Sequence, residues 1–244
     1  MPSVAELSDP YANFMVSPRR RPGVCELCFN FTRGFRRCYA CEHNDDWLAA
    51  VDPISYSVGL AQLHRALMGY KRLGGEVSRR LTVELAAVLW RHLARHERCI
   101  ASAAEVGSFE LVTTVPSGDP ERDHRHPMKK IVSELVGPTR ERYARLLRRS
   151  SSDVGPRLFD PNKFEAVRPL AGEAVLLVDD TWTTGASAQS AASALRGAGA
   201  GPIGAVVVGR HLNREWHDTE RRLGAMSGSF DWDRCALCAW RVSR

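Results

Sequence analysis

Long apolar runs are what this chain most plainly lacks. No stretch approaches the ~20 consecutive apolar residues of a membrane-spanning helix. The opening MPSVAELSDPYANF also lacks the basic-then-apolar order of a secretory leader. The expectation is a cytoplasmic protein without a membrane partner. Negative charge is scarce too: 28 Asp and Glu stand against 34 Lys and Arg, for a net charge of +6. The excess is gathered in two places. Between Arg19 and Arg37 six arginines meet one acid, Glu26, and between Arg122 and Arg149 nine basic residues meet three acidic ones. Such clustering suits an anionic ligand or a nucleic-acid backbone, with a solvated helix face as the plain alternative for TRERYARLLRR. Aromatic residues make up only 8%, but apolar content of 44% over 244 residues is enough for one core plus a small module.

The residue pattern of several chemistries is also missing. His92 and His96 share a helical i, i+4 face, but no Glu stands between them in metalloprotease order, so with His64 they read as helix-surface histidines. No thioredoxin-like βαβ pattern surrounds Cys235 and Cys238, which argues against a redox role.

What is present begins with cysteine. CELCFNFTRGFRRCYAC contains Cys25-x2-Cys28 and Cys38-x2-Cys41, separated by nine residues that include a glycine. That spacing suits a structural, four-thiolate zinc site, with no position open for water. In a reducing compartment disulfides are the weaker alternative. His43 is a substitute ligand by position, and the C-terminal pair Cys235 and Cys238 is an alternative partner for one N-terminal knuckle. Cys99 stands single and reads as a buried or inert thiol.

The organising stretch is AVLLVDDTWTTGAS, Ala174 to Ser187. Four apolar residues run into Asp179 and Asp180, and Thr181, Thr183, Thr184 and Gly185 lead to an alanine-rich segment. The pattern reads as buried parallel strand, acidic pair, polar glycine loop and helix. Backbone N–H groups at a helix N-terminus hold a phosphate dianion well, and two carboxylates at the strand end can accept hydrogen bonds from vicinal sugar hydroxyls. A ribose phosphate satisfies both halves.

Elsewhere the order of parts is mixed α/β. Residues 1–24, with four prolines and the RRR run, read as a poorly ordered basic arm open to nucleic acid. YSVGLAQLHRALMGYKRLGG reads as a helix from Tyr56, with Leu60, Leu63, Leu67 and Tyr70 on one stripe, and VSRRLTVELAAVLWRHLARH as a second helix. Phe109 to Val115 reads as the first parallel strand. It is followed by a loop in which Pro116, the Ser117 and Gly118 amides, Arg122 and Arg125 are placed to hold pyrophosphate, or form an exposed polar turn before the helix PMKKIVSELVG. Residues 138–168 read as a basic helix relaxing into a mobile loop able to close over substrate. Ile203 to Val208 read as another buried strand, and Trp216, Trp232 and Trp240 as packing anchors of the tail.

The stretch Val175 to Ser187 resembles the PRPP-binding (phosphoribosyl pyrophosphate) signature of type I phosphoribosyltransferases. The resemblance implies that Asp179 and Asp180 bind the ribose 2′- and 3′-hydroxyls. Thr181, Thr183, Thr184, Gly185, Ala186 and Ser187 would surround the 5′-phosphate. Purine-salvage members usually carry aspartate at the position of Thr183; a threonine is no general acid at neutral pH, which speaks against a hypoxanthine or guanine acceptor. Together with the paired CxxC module, LMGYKRLGG and the VPS loop, the motif is similar to the ComF/GntX-type phosphoribosyltransferases, named for a protein of bacterial DNA uptake. That family usually has Arg-Gly-Phe-Asn-Gln after the VP loop, where this chain has RDHRHPMKK, and the C-terminal Cys pair is also unlike it.

The expected organisation is a basic arm (1–24), a zinc module (25–51), a doubly wound α/β phosphoribosyltransferase domain (52–212) and a C-terminal extension (213–244). The expected function is displacement of pyrophosphate from ribose C1 of Mg²⁺-bound PRPP, with the acceptor unidentified and no committed general base. The alternative is a non-catalytic PRPP or nucleotide sensor whose zinc module and basic patches engage DNA or RNA, as a competence role would need. Homo-oligomerisation stays open.

Overall fold

The computed structural model describes residues 2–44, 46–117, 126–155, 157–216, 218–226 and 228–238. The centre is a four-stranded, all-parallel sheet in the order β1-β6-β5-β2, formed by β1 (Ala50–Val58), β2 (Leu111–Thr114), β5 (Val175–Trp182) and β6 (Ile203–Leu212). The short strands β3 (Leu147–Arg149) and β4 (Phe164–Ala166) pair antiparallel beside it. No helix among the described residues is long and apolar enough to cross a membrane.

Helices cover both faces, which explains why β5 is apolar without alternation. Leu176 and Val178 share a core with α3 (Gln62–Arg72) and the 29-residue α4 (Gly75–Ala103). Val175 and Leu177 pack on the opposite side against Ala188, Ala191, Ala192 and Leu195 of α7 (Ala186–Gly197). The small side chains of α7 let it lie close to the sheet directly behind the β5 loop.

Several expectations are corrected. Tyr56 to Val58 belong to β1, and the helix expected from Tyr56 starts at Gln62. Leu60, expected on its apolar stripe, sits in the connecting turn with positive φ and is exposed. The basic helix expected after Pro138 ends after one turn, α6 (Gly137–Arg140). Here the sheet edge outcompetes the helical pattern. The Arg142 carbonyl accepts the Val112 N–H at 2.9 Å, and the Ala144 N–H donates to the Val112 carbonyl at 2.9 Å. The Arg142 guanidinium turns inward to Glu97 and to the carbonyls of Phe109 and Pro138. β3 falls at the end of the stretch expected as helix, β4 at the end of the expected loop, and the described residues between them carry no helix or strand.

Part of the expected arm is folded: α1 (Val4–Ser8) opens with a Ser3 capping box and continues as a 3-10 turn, Asp9–Asn13, with Tyr11 and Met15 in the main core. The remaining short helices are α2 (Tyr39–His43), α5 (Pro127–Lys130, continued by a π turn) and α8 (Thr219–Gly224). Among the tail tryptophans, Trp232 is buried, Trp216 is 53% exposed, and Trp240 lies outside the described residues.

Candidate functional site

The carboxyl ends of β2 and β5 open into a cleft of about 1170 Å³, the usual position of a ligand in an open parallel sheet. Asp179, Asp180 and residues 181–187 line one wall, with Pro116 and Ser117 from the end of β2. Gly118, Arg122 and Arg125, expected in the pyrophosphate loop, lie outside the described residues.

The two aspartates sit in different surroundings. Asp180 is 2% exposed; its Oδ2 accepts the Tyr70 hydroxyl and pairs with the Lys71 ammonium, both in short contacts. Burial works against the Asp180 charge, but Lys71 and Tyr70 outweigh it and hold the carboxyl below its ordinary range. Among the described residues no cation makes such a contact with Asp179. Its Oδ1 accepts the Asp180 N–H at 2.8 Å, while burial and the neighbouring Asp180 carboxylate push its pKa up to about 7, although Lys71 nearby works against the upward shift. One carboxylate is thus fixed as an anion and its neighbour is poised to gain or lose a proton near neutrality.

Sequence reasoning assigned no site role to Tyr70 and Lys71. They end α3, and with Arg72 they line the cleft. His126 and Arg157 enter from two other segments. Tyr70 fell on the apolar stripe of its helix and serves both purposes, its ring in the core and its hydroxyl on Asp180.

The loop after the acids is held from beneath. Trp182 is buried, and its ring lies under Gly185, which adopts φ +84° as the N-cap of α7. A side chain at 185 would overlap that ring and would also strain the left-handed backbone. The Thr184 Oγ1 accepts the Ala186 N–H at 3.3 Å, turning the loop back onto the helix start. The start of α7 thus lines the cleft together with Thr181, Thr183 and Ser187.

Behind this wall lies the cysteine module. The thiols of Cys25, Cys28, Cys38 and Cys41 converge with all sulfurs within 4.8 Å of one another, and the Cys28 and Cys38 sulfurs are 3.6 Å apart. Tetrahedral zinc with bonds of about 2.3 Å spaces its sulfurs by roughly 3.8 Å, so this group could hold such an ion. Phe29, at φ +60°, closes the first knuckle by donating its N–H to the Cys25 carbonyl at 3.1 Å, and Cys38 precedes α2, which carries Cys41. His43 is outside the group: its Nδ1 meets the Tyr39 carbonyl at 2.8 Å. The alternative in which Cys235 and Cys238 join an N-terminal knuckle is overturned, since that pair gathers elsewhere with His96 and Cys99.

Arg210 joins module and cleft. It is 3% exposed; Nε donates to the Cys28 carbonyl at 3.0 Å and Nη1 to the Trp182 carbonyl at 3.1 Å. Burial alone would disfavour its charge, and the sulfurs of Cys28, Cys38 and Cys41 more than offset this. From the module's other side, the Trp47 N–H donates to Gln189 Oε1 of α7 at 3.0 Å.

Comparison with protein-family models, curated proteins and solved structures finds no match. The functional reading therefore rests on the residues themselves.

Proposed function

We propose that this protein binds PRPP in the β2–β5 cleft as a phosphoribosyltransferase of type I architecture. The supporting observation is the union, on one wall, of the Asp179–Asp180 pair with a Gly185-capped helix start, in a cleft that Lys71, Arg72 and Arg157 also line. In this reading the carboxylates accept the ribose 2′- and 3′-hydroxyls, and the α7 amides with the threonine and Ser187 hydroxyls receive the 5′-phosphate. Lys71 exchanges some of its contact with Asp180 for the incoming anion. Magnesium, bound through the ligand, would neutralise pyrophosphate as it leaves. Catalysis would then rest on positioning and charge stabilisation while pyrophosphate departs from ribose C1 and the acceptor bonds there. Thr183 supplies no proton-transferring group, so the acceptor must be nucleophilic without one from this position. The Cys25, Cys28, Cys38 and Cys41 group is read as a structural zinc centre that braces the loop through Arg210.

The test is the double substitution Asp179→Asn and Asp180→Asn. Magnesium-dependent PRPP binding should be lost while circular dichroism stays that of the parent. Unaltered affinity would remove the acid pair from the site. In the parent, affinity should rise with pH through about 7, because the ionised Asp179 is the form that accepts hydroxyl donors. Asp179→Asn alone should flatten that part of the profile.

A second reading is favoured by one observation. Phe35, Tyr39 and Trp216 are all more than half exposed around a groove of about 530 Å³ that also includes Arg33 and Arg37. Exposed rings among arginines suit the stacked bases and phosphates of single-stranded nucleic acid. A labelled single-stranded oligonucleotide should bind with affinity falling steeply in salt. Phe35→Ala with Tyr39→Ala should weaken it at least ten-fold, from about 1–3 kcal/mol per stacked base. Absence of binding at low salt would end this reading.

A further inference from the structure

The chain has seven cysteines, all free thiols, and the N-terminal module uses four. The other three come from places far apart in sequence. His96 and Cys99 lie one turn apart on α4, and Cys235 and Cys238 form a CxxC knuckle 136 residues after Cys99. All four ligand atoms fall within 4.8 Å of one another. His96 Nδ1 is 3.9 Å from the Cys238 sulfur and 4.0 Å from the Cys99 sulfur. Around tetrahedral zinc, nitrogen and sulfur ligands stand roughly 3.6 Å apart, so only a small contraction separates this cluster from coordination geometry.

Two further observations point to a metal. The other ring nitrogen of His96, Nε2, is 2.9 Å from the Trp232 carbonyl. A carbonyl can only accept, so Nε2 carries the proton and Nδ1 presents its lone pair to the three sulfurs, the arrangement of a histidine ligand oriented by a backbone oxygen. The knuckle is arranged likewise: the Cys235 N–H donates to the Cys238 sulfur and the Cys238 N–H to the Cys235 sulfur, each at 3.1 Å. Amides directed at sulfur stabilise thiolates. His96 and Cys235 are buried, with Phe230, Trp232, Ala236 and Leu237 closing over the group.

We propose that His96, Cys99, Cys235 and Cys238 form a second structural zinc site that fastens the C-terminal segment to α4. Zinc replaces the thiol protons, releasing up to three of them, and no electron transfer is involved. Apart from the cluster, this segment is tied to α4 by the Arg95–Asp233 ion pair at 3.0 Å and by Arg91 stacked 4.4 Å over the Trp232 ring. A metal clip would add to the burial of Phe230, Trp232, Ala236 and Leu237 in the main core. The proposal does not depend on the ligand of the cleft.

The test is metal content of the full-length protein, loaded with zinc and desalted, by inductively coupled plasma mass spectrometry. Two zinc ions per chain are expected, and one per chain in the variant Cys235→Ser with Cys238→Ser. One zinc in the parent, or two in the variant, would overturn the proposal. Should the variant fail to fold, X-ray absorption of the zinc-loaded parent decides. Two ions sharing seven sulfurs and one imidazole nitrogen are expected, and a spectrum of four-sulfur zinc alone would contradict it.

Discussion

Arg210→Met should destabilise the protein by about 3–5 kcal/mol, the usual cost of removing one side of a buried charge arrangement. For a domain of this size that corresponds to a fall in Tm of roughly 6–20 °C. The loss has two parts. The carbonyls of Cys28 and Trp182 lose their buried donor, and the proposed zinc site, net negative by two when four thiolates surround a divalent metal, would lose a buried cation beside it. Zinc should therefore leave the variant faster in the presence of chelator. Arg210→Lys should not rescue it, because one ammonium cannot span two carbonyls that a planar guanidinium reaches from different nitrogens. Thermal unfolding followed by circular dichroism checks this. A Tm within a degree or two of the parent would show that Arg210 does not bridge the module and the loop as described.

Gly185→Ala should damage the cleft more than the fold. The left-handed backbone at φ +84° costs an L-residue about 1–2 kcal/mol, and the new methyl would overlap the Trp182 ring. That ring is fully enclosed, so the loop must move instead, carrying the α7 amides with it. An ordinary, well-folded spectrum with PRPP affinity lowered ten-fold or more is the expected outcome, the ten-fold loss being about 1.4 kcal/mol. Affinity equal to the parent would mean that phosphate is not received at this helix start.

What the sequence disclosed, and what it hid, follows contact distance along the chain. The motif Val175 to Ser187 and the four N-terminal thiols are local arrangements in which strand, turn and helix start or paired knuckles follow one another, so spacing alone suffices. The second cysteine group was hidden because its halves lie on α4 and on the tail; His96 looked like one more helix-surface histidine, yet it is buried. His92 was misread in the same way, since its Nε2 meets buried Asp52 at 2.8 Å. β1 was missed, with Tyr56 to Val58 assigned to a helix and Phe109 to Val115 named the first parallel strand, because Pro53 and three polar residues interrupt it. Pro53 is tolerated on an edge strand, Asp52 pairs with His92, and Ser55 Oγ accepts the Val16 N–H at 2.9 Å. Tyr70 and Lys71 carried a helix-end signal that names no partner; only the packing of α3 against α4, β1 and β6 brings them to Asp180.

The most direct measurement is calorimetric titration of PRPP into the zinc-loaded protein, with and without Mg²⁺. The cleft as described predicts saturable binding at one site per chain that requires magnesium and vanishes in the Asp179→Asn, Asp180→Asn variant. Absence of heat and of binding by folded, zinc-loaded protein with magnesium present would contradict the assignment of this cleft to a ribose phosphate.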